Sequence, residues 1–197
     1  AEEKEQGQMV SLRCSLGQAQ ELIEQVKEYV VIANINGPQQ IIVSGSEEGI
    51  EEISLQAGMK GISVYLLPVS NAFHSELIKE ASQKVLKEAK IPEEIDHYYY
   101  KLLSGMTGEE VGLEVNLRHY FSDQMISPVR FVDMVHKMGD ECDLMLEVGM
   151  GTVLSRLIKD ILPSGPDCIP IEGKPGDDAS FNAGLANVFI RGRNINW

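Results

Sequence analysis

Hydrophobic and polar positions along this chain follow two periods in turn. The run Met9 to Cys14 is dense in apolar residues, as a buried strand requires. From Ser15 to Glu28 the apolar residues Leu16, Ala19, Leu22, Ile23 and Val26 then recur at the spacing of one helix face. Ser15 followed three positions later by Gln18 predicts a capping box, in which each side chain bonds the other residue's backbone N–H at the helix start. Two β-rich runs, Val30 to Asn34 and Gln40 to Ser44, flank Asn36, Gly37 and Pro38 and predict a hairpin. Ser46 caps a second helix with Ile50, Ile53 and Ala57 on one face and a stop at Gly58, and Gly61 to Val69 supplies a fourth strand ending near Pro68. The order β-α-β-β-α-β predicts a ferredoxin-like module over residues 9–69. The polar stretch 1–8 has no periodicity that would bury a face and is expected to be a linker or a helix end.

Residues 70–197 change in character, to longer helices separated by single strands, the order of an α/β layer. Ser75 to Ala89 carries Leu77, Ile78, Ala81, Val85, Leu86 and Ala89 on one stripe and ends before Pro92. Tyr98 to Leu103 is expected to be a strand, and Val115 to Met125 and Val129 to Met138 to be helices broken by Ser127-Pro128. A strand over Leu144 to Val148 runs into Gly149-Met150-Gly151, followed by a helix from Thr152 to Leu162. A strand near Cys168 to Ile171 and a helix from Ala179 to Ile190 complete the chain.

Composition narrows the partners. The chain has 197 residues, 43% hydrophobic and 24% charged, enough for a sizeable core. Thirty acidic against 17 basic residues leave a formal charge of -13 with the cations scattered, which excludes nucleic acid as an expected partner. No apolar run approaches the roughly 20 residues that cross a bilayer, and no leader pattern is present, so a cytoplasmic protein without a membrane partner is expected. Cys14, Cys142 and Cys168 form no C-x-x-C pair and call for neither a disulfide framework nor a zinc site. The last two lie at the edges of apolar runs and are expected to be packing thiols.

His74 is the residue most open to chemistry, because VSNAFHS places it in a turn between a strand and a long helix. The residues alone leave two readings: a reactive histidine, or a helix-start histidine bonded to a nearby carbonyl. His97, His119 and His136 have no metal-ligand spacing. The nucleophile elbow G-x-S-x-G is absent; the nearest string, Arg13 to Gly17, has arginine where glycine would relieve crowding, and Ser15 serves better as a cap. Gly149-Met150-Gly151 lacks both the third glycine of a dinucleotide loop and the lysine of a P-loop, and reads as a tight strand-to-helix turn.

Six strings, in this order, resemble the acyltransferases of the malonyl-CoA:acyl carrier protein transacylase family, polyketide synthase type. They are IANINGPQQIIVSG (Ile32 to Gly45), LLPVSNAFHSEL (Leu66 to Leu77), SGMTG (Ser104 to Gly108), FSDQMISPVRFVDMV (Phe121 to Val135), LEVGMGTVLSRLI (Leu146 to Ile158) and GRNINW (Gly192 to Trp197). The resemblance implies a ferredoxin-like small subdomain, 9–69, inserted in an α/β-hydrolase-like large subdomain of which 70–197 would be the C-terminal part. It implies that a malonyl-type group moves from coenzyme A to an acyl carrier protein through a serine acyl-enzyme, with the coenzyme A thioester as substrate and no cofactor. His74 would be the catalytic base, oriented by the main-chain carbonyl of Gln124. Phe73 and Ala72, in the A-F-H form associated with malonyl units, together with Asn71 and Asn34, would contact substrate. The family's G-H-S-x-G serine, its carboxylate-binding arginine and its oxyanion-hole glutamine would all precede Ala1, so the N-terminal segment of the same acyltransferase is an expected partner. Met150 replaces the family's usual proline and Gly105 its usual asparagine. An acyl hydrolase of the same fold and a non-catalytic scaffold portion of a synthase are the alternatives. With a charge of -13, any carrier-protein contact would have to be local and basic.

Overall fold

A computed structural model of the chain describes residues 7–93, 99–172, 176 and 178–195. Contacts divide the chain into two units, Ala1–Met134 and Val135–Trp197. The first opens with β1 (Gln8–Leu12), α1 (Leu16–Ile23), β2 (Val30–Gly37), β3 (Gln40–Gly45), α2 (Glu47–Met59) and β4 (Val64–Leu66). The strands form an antiparallel sheet in the order β2-β3-β1-β4.

Side chains alternate across this sheet as the two-residue period demands. Val10, Leu12, Ile41 and Val43 are buried in one cluster with Leu22 of α1 and Ile50, Ile53 and Ala57 of α2. Met9 and Ile42 occupy the intervening positions and cluster separately with Ala33. Each fully buried Leu, Ile or Val contributes roughly 1.5–3 kcal/mol, so these two clusters are what holds the sheet together.

The capping box forms: the Ser15 N–H donates to Gln18 Oε1 at 3.0 Å and the Gln18 N–H to Ser15 Oγ at 3.4 Å. α1 nevertheless stops at Ile23, short of the expected Glu28. Beyond it α2 captures the backbone, with Gln56 Nε2 donating to the Gln25 carbonyl and the Lys27 N–H donating to Glu52, both at 3.1 Å. β4 holds only three residues; just past it the Leu67 N–H still donates to the Met9 carbonyl at 2.9 Å, and the chain then turns, the Val69 N–H donating to the Leu67 carbonyl at 2.9 Å. The hairpin closes through Pro38 and Gln39, with Gly37 opposite Gln40.

β2 lies at one edge of the sheet, with register shifts between Ile32 and Asn34 and between Ile35 and Gly37. Val129 occupies that edge. Its N–H donates to the Ala33 carbonyl and its carbonyl accepts from the Ile35 N–H, both at 2.8 Å.

A 3₁₀ turn (Glu76–Ile78) leads into α3 (Lys79–Glu88), and α4 (Leu117–Ile126) and α5 (Phe131–Glu141) follow, the division between the units falling within α5. α3 is rotated from its expected stripe: Ala81 is exposed and Ser82 is buried. A hydroxyl is tolerated there because Ser122 of α4 answers it. Ser82 Oγ donates to the Ser122 carbonyl at 2.8 Å, Ser122 Oγ donates to the Ser82 carbonyl at 3.2 Å, and the two hydroxyls lie 2.7 Å apart. The strand expected over Tyr98 to Leu103 does not form in its described part, and Tyr98 lies outside the described residues. Only a single bridge joins Leu103 to Glu110. Ser104 Oγ accepts from the N–H groups of Met106 and Thr107 at 3.2 and 3.4 Å, which turns the chain at once.

In the second unit β5 (Leu144–Met150) and β6 (Asp167–Glu172) pair in parallel, joined by α6 (Val153–Ile161) and followed by α7 (Asp178–Ile190). Leu157, Ile158 and Ile161 bury one stripe of α6. α7 crosses β6 at Gly184, where a Cβ would stand 2.7 Å from the Ile171 carbonyl.

Candidate active site

His74 sits at a backbone position that side chains seldom take. Its φ is 59°, and among the described residues it is the sole non-glycine with positive φ. Histidine tolerates this region better than most residues, but the conformation persists only where neighbours over-determine it. Those neighbours are the C-terminal carbonyls of α4, which the helix itself cannot satisfy. The His74 N–H donates to the Met125 carbonyl at 2.9 Å. Its ring Nδ1 lies 3.2 Å from the Gln124 carbonyl oxygen and 2.9 Å from that of Ser127.

Carbonyl oxygens only accept, so Nδ1 carries the proton and Nε2 is left as the basic nitrogen. The contact to Gln124 is the one expected. The shorter one, to Ser127, is not visible in the sequence. It arises because the residue before a proline is driven to extended backbone, and Ser127 takes φ -94° and ψ 149° as α4 ends.

Beside the ring lies an apolar cavity of about 400 Å³ lined by Phe73, His74, Val85, Ile91, Phe121, Gln124 and Met125. This lies within the range of small-molecule sites. Of the residues picked out in the sequence, His74, Gln124 and Phe73 meet here. Ala72 is fully buried beneath the turn, its carbonyl accepting from Ser75 Oγ at 2.5 Å, and does not line the cavity. Asn71 lies beside it, its Nδ2 donating to Ser70 Oγ at 3.0 Å, and Asn34 is on β2 opposite Val129; neither lines the cavity. Val85 was expected as core, and Ile91, Phe121 and Met125 carried no signal beyond their apolarity.

Other polar groups and turns have structural partners. Arg130 pairs with Asp133 at 2.5 Å, while its N–H donates to the Gly105 carbonyl at 2.7 Å. The Gly149-Met150-Gly151 turn needs glycine at 151, where φ is 101°. The helix start behind it has no N–H to spare at Leu154 and Ser155, whose groups donate to the two carboxylate oxygens of Glu147 at 2.9 Å each. Burial pushes the Glu147 carboxyl up, but the bonds from Ser155, Leu154 and Val153 outweigh it and hold the group below its ordinary range. Burial pushes the thiols of Cys14 and Cys168 up, the Glu147 charge adding to the effect at Cys168, which suits neither to attack. Cys142 is exposed rather than packed, at the foot of α5. Among the described residues no group of three His, Cys, Asp or Glu side chains is placed to hold a metal ion, and no helix is long and apolar enough to cross a membrane.

A histidine held through Nδ1 by main-chain carbonyls beside an apolar cavity, on a mixed α/β scaffold, has one ring nitrogen left that can exchange a proton. The chain is a homologue of the malonyl-CoA:acyl carrier protein transacylases and of polyketide synthase acyltransferases. It is 32% identical over 155 residues to the malonyl CoA-acyl carrier protein transacylase of Bacillus subtilis, covering 74% of this chain and 49% of that protein. It is 34% identical over 160 residues to the polyketide biosynthesis protein ThaF of Burkholderia thailandensis, covering 80% of this chain and 13% of that protein. Among solved structures, the acyltransferase domain from the second module of the salinomycin polyketide synthase matches with a TM-score of 0.86 and 26% identity, over 98% of this chain and 46% of that one. The chain thus spans about half the length of the Bacillus relative and a smaller share of the other. No family model matches it.

Proposed function

We propose that this chain carries the base-bearing portion of an acyltransferase that moves a malonyl-type group from coenzyme A to an acyl carrier protein. The observation that supports this best is the His74 ring, whose Nδ1 faces two carbonyls and whose Nε2 is therefore free to take a proton. Nε2 accepts the proton of a serine hydroxyl as that oxygen attacks the thioester carbon, and returns it to the departing thiolate of coenzyme A. In the second half-reaction the same nitrogen takes the proton of the carrier's thiol, and the serine oxygen recovers one when the acyl group leaves. The serine comes from outside these 197 residues, as do the groups that stabilise the oxyanion and hold the malonyl carboxylate.

In this reading residues 9–69 are a ferredoxin-like small subdomain inserted in an α/β-hydrolase-like large subdomain, and 70–197 belong to the latter. Phe73 crowds the α-carbon of the acyl group and favours malonyl over methylmalonyl units, a steric preference of about 1–3 kcal/mol. Ala72 backs that residue from beneath the turn, and Asn71 and Asn34, which lie outside the apolar cavity, meet a part of the substrate beyond it. The reaction needs no cofactor and takes place in the cytoplasm.

The test is to incubate the intact acyltransferase containing this chain with mixed acyl-CoA thioesters and weigh the acylated enzyme and carrier. Malonyl is expected on both, and His74→Ala is expected to remove it from both. Transfer at an unchanged rate in His74→Ala would overturn the assignment, and release of the acyl group to water instead of to the carrier would make the protein a hydrolase.

A further inference from the structure

We propose that Ser44 is a positioning residue for His74, an inference that rests on His74 being the base. Ser44 is the fifth residue of β3, on the face opposite the Ile41–Val43 cluster. It is fully buried, at 0% exposure, and its Oγ donates to the Phe73 carbonyl at 2.5 Å. That carbonyl and the His74 N–H belong to one planar peptide unit. The unit is therefore held at both ends, by Ser44 from β3 and by the Met125 carbonyl from α4. The φ of 59° at His74 is the rotation immediately after this fixed plane, so the plane decides where the imidazole points.

The ring's acceptors are fixed from the same hairpin. Val129 is locked to the edge of β2 by its two 2.8 Å bonds, two residues beyond the Ser127 carbonyl that receives the Nδ1 proton. The β2–β3 hairpin thus holds the histidine through Ser44 and its acceptor through Val129. In a strand whose other buried side chains, Ile41, Ile42 and Val43, are aliphatic, a buried serine with its hydroxyl on a residue 29 positions away is accounted for by this task.

The experiment measures transfer from malonyl-CoA to the carrier protein by the intact acyltransferase, with nitrogen NMR of the His74 ring. Ser44→Ala is expected to lower kcat roughly tenfold to a hundredfold, the cost of a misplaced catalytic group, with KM within about twofold. The ring is expected to pass from one tautomer, protonated at Nδ1, to a mixture, and Ser44→Thr to restore both rate and tautomer. Ser54→Ala, which removes a hydroxyl that donates to the Ile50 carbonyl within α2, is expected to leave kcat unchanged. A Ser44→Ala enzyme with the original kcat and tautomer overturns the proposal. If that variant does not fold, Ser44→Cys takes its place with the same expectations, and failure of both to fold makes Ser44 a core residue and overturns the proposal too. His74→Ala runs alongside: an active His74→Ala enzyme defeats the base assignment itself, whereas an inactive one beside a fully active Ser44→Ala defeats only the role of Ser44.

Discussion

Two of the described helix ends, at α6 and α4, are closed by titratable side chains, and they differ in what is left over. At the start of α6, Glu147 spends both carboxylate oxygens on backbone N–H groups and is only 7% exposed. At the end of α4, His74 spends its backbone N–H and one ring nitrogen on carbonyls and keeps the other ring nitrogen beside a cavity. Both are polar groups fixed by orphaned backbone partners. The glutamate is saturated and has nothing to offer a substrate. The histidine is fixed to the same degree and still has a lone pair. Hydrogen bonding alone would rank the two alike; counting the unused acceptors separates a structural cap from a chemical one.

That contrast can be broken most severely at His74. Asparagine tolerates positive φ and can donate to the same carbonyls, so His74→Asn keeps the cap and removes the base. Transfer is expected to fall by about 10²–10⁴-fold, measured as carrier acylation, while the urea midpoint of the variant stays close to the original. A stability loss as large as the activity loss would mean that the histidine, like the glutamate, is a cap and nothing more.

The reverse result is expected at the other end. Glu147→Ala leaves backbone donors at α6 unpaired and is expected to cost roughly 1.5–3 kcal/mol in urea unfolding, as for hydrogen bonds to a charged group. Transfer is expected to be unchanged at temperatures where the variant is folded.

The pH dependence sharpens the same point. The folded Glu147 carboxyl lies below its ordinary value, so the unfolded chain binds its proton more readily than the folded one. Its contribution is complete above the ordinary carboxylate range and is lost as pH falls through the depressed folded value. Urea midpoints followed down through pH 5 to 3 are expected to drop in the natural protein and to drop less steeply in Glu147→Gln.

The smallest effect is expected where a cap carries no charge. Ser46 Oγ accepts from the Gly49 N–H at 3.1 Å, and Ser46→Ala is expected to cost about 1 kcal/mol in the same assay, with no dependence on pH.

Legibility in the sequence followed the range of the interactions. The β-α-β-β-α-β order could be read because each element announces itself within a dozen residues, through Ile50, Ile53 and Ala57 on one face or Ser15 and Gln18 at one cap. The strands β5 and β6 could be read for the same reason, though not that they pair in parallel. What escaped was decided by distant partners. Ala81 and Ser82 exchange places because Ser122, forty positions on, supplies the matching hydroxyl. α1 is cut short by Glu52 and Gln56, which belong to another helix. At the site, the turn around His74 was conspicuous and the Gln124 carbonyl was reached through the resemblance. The Ser127 carbonyl and the Ser44 hydroxyl were hidden, because a backbone oxygen has no letter in the sequence and a serine in a strand looks like any other.

The serine pair between α3 and α4 sets a separation as well as a bond. Val85 stands one turn beyond Ser82, and Phe121 directly precedes Ser122, so two walls of the cavity are carried by the same two helices that the hydroxyls pin together. The breadth of the chamber is therefore a matter of gauge, like the spacing of rails, before it is a matter of what lines it. Engineering it to take a bulkier acyl group would begin by resetting that gauge at Ser82 and Ser122, leaving Phe73 and the histidine untouched.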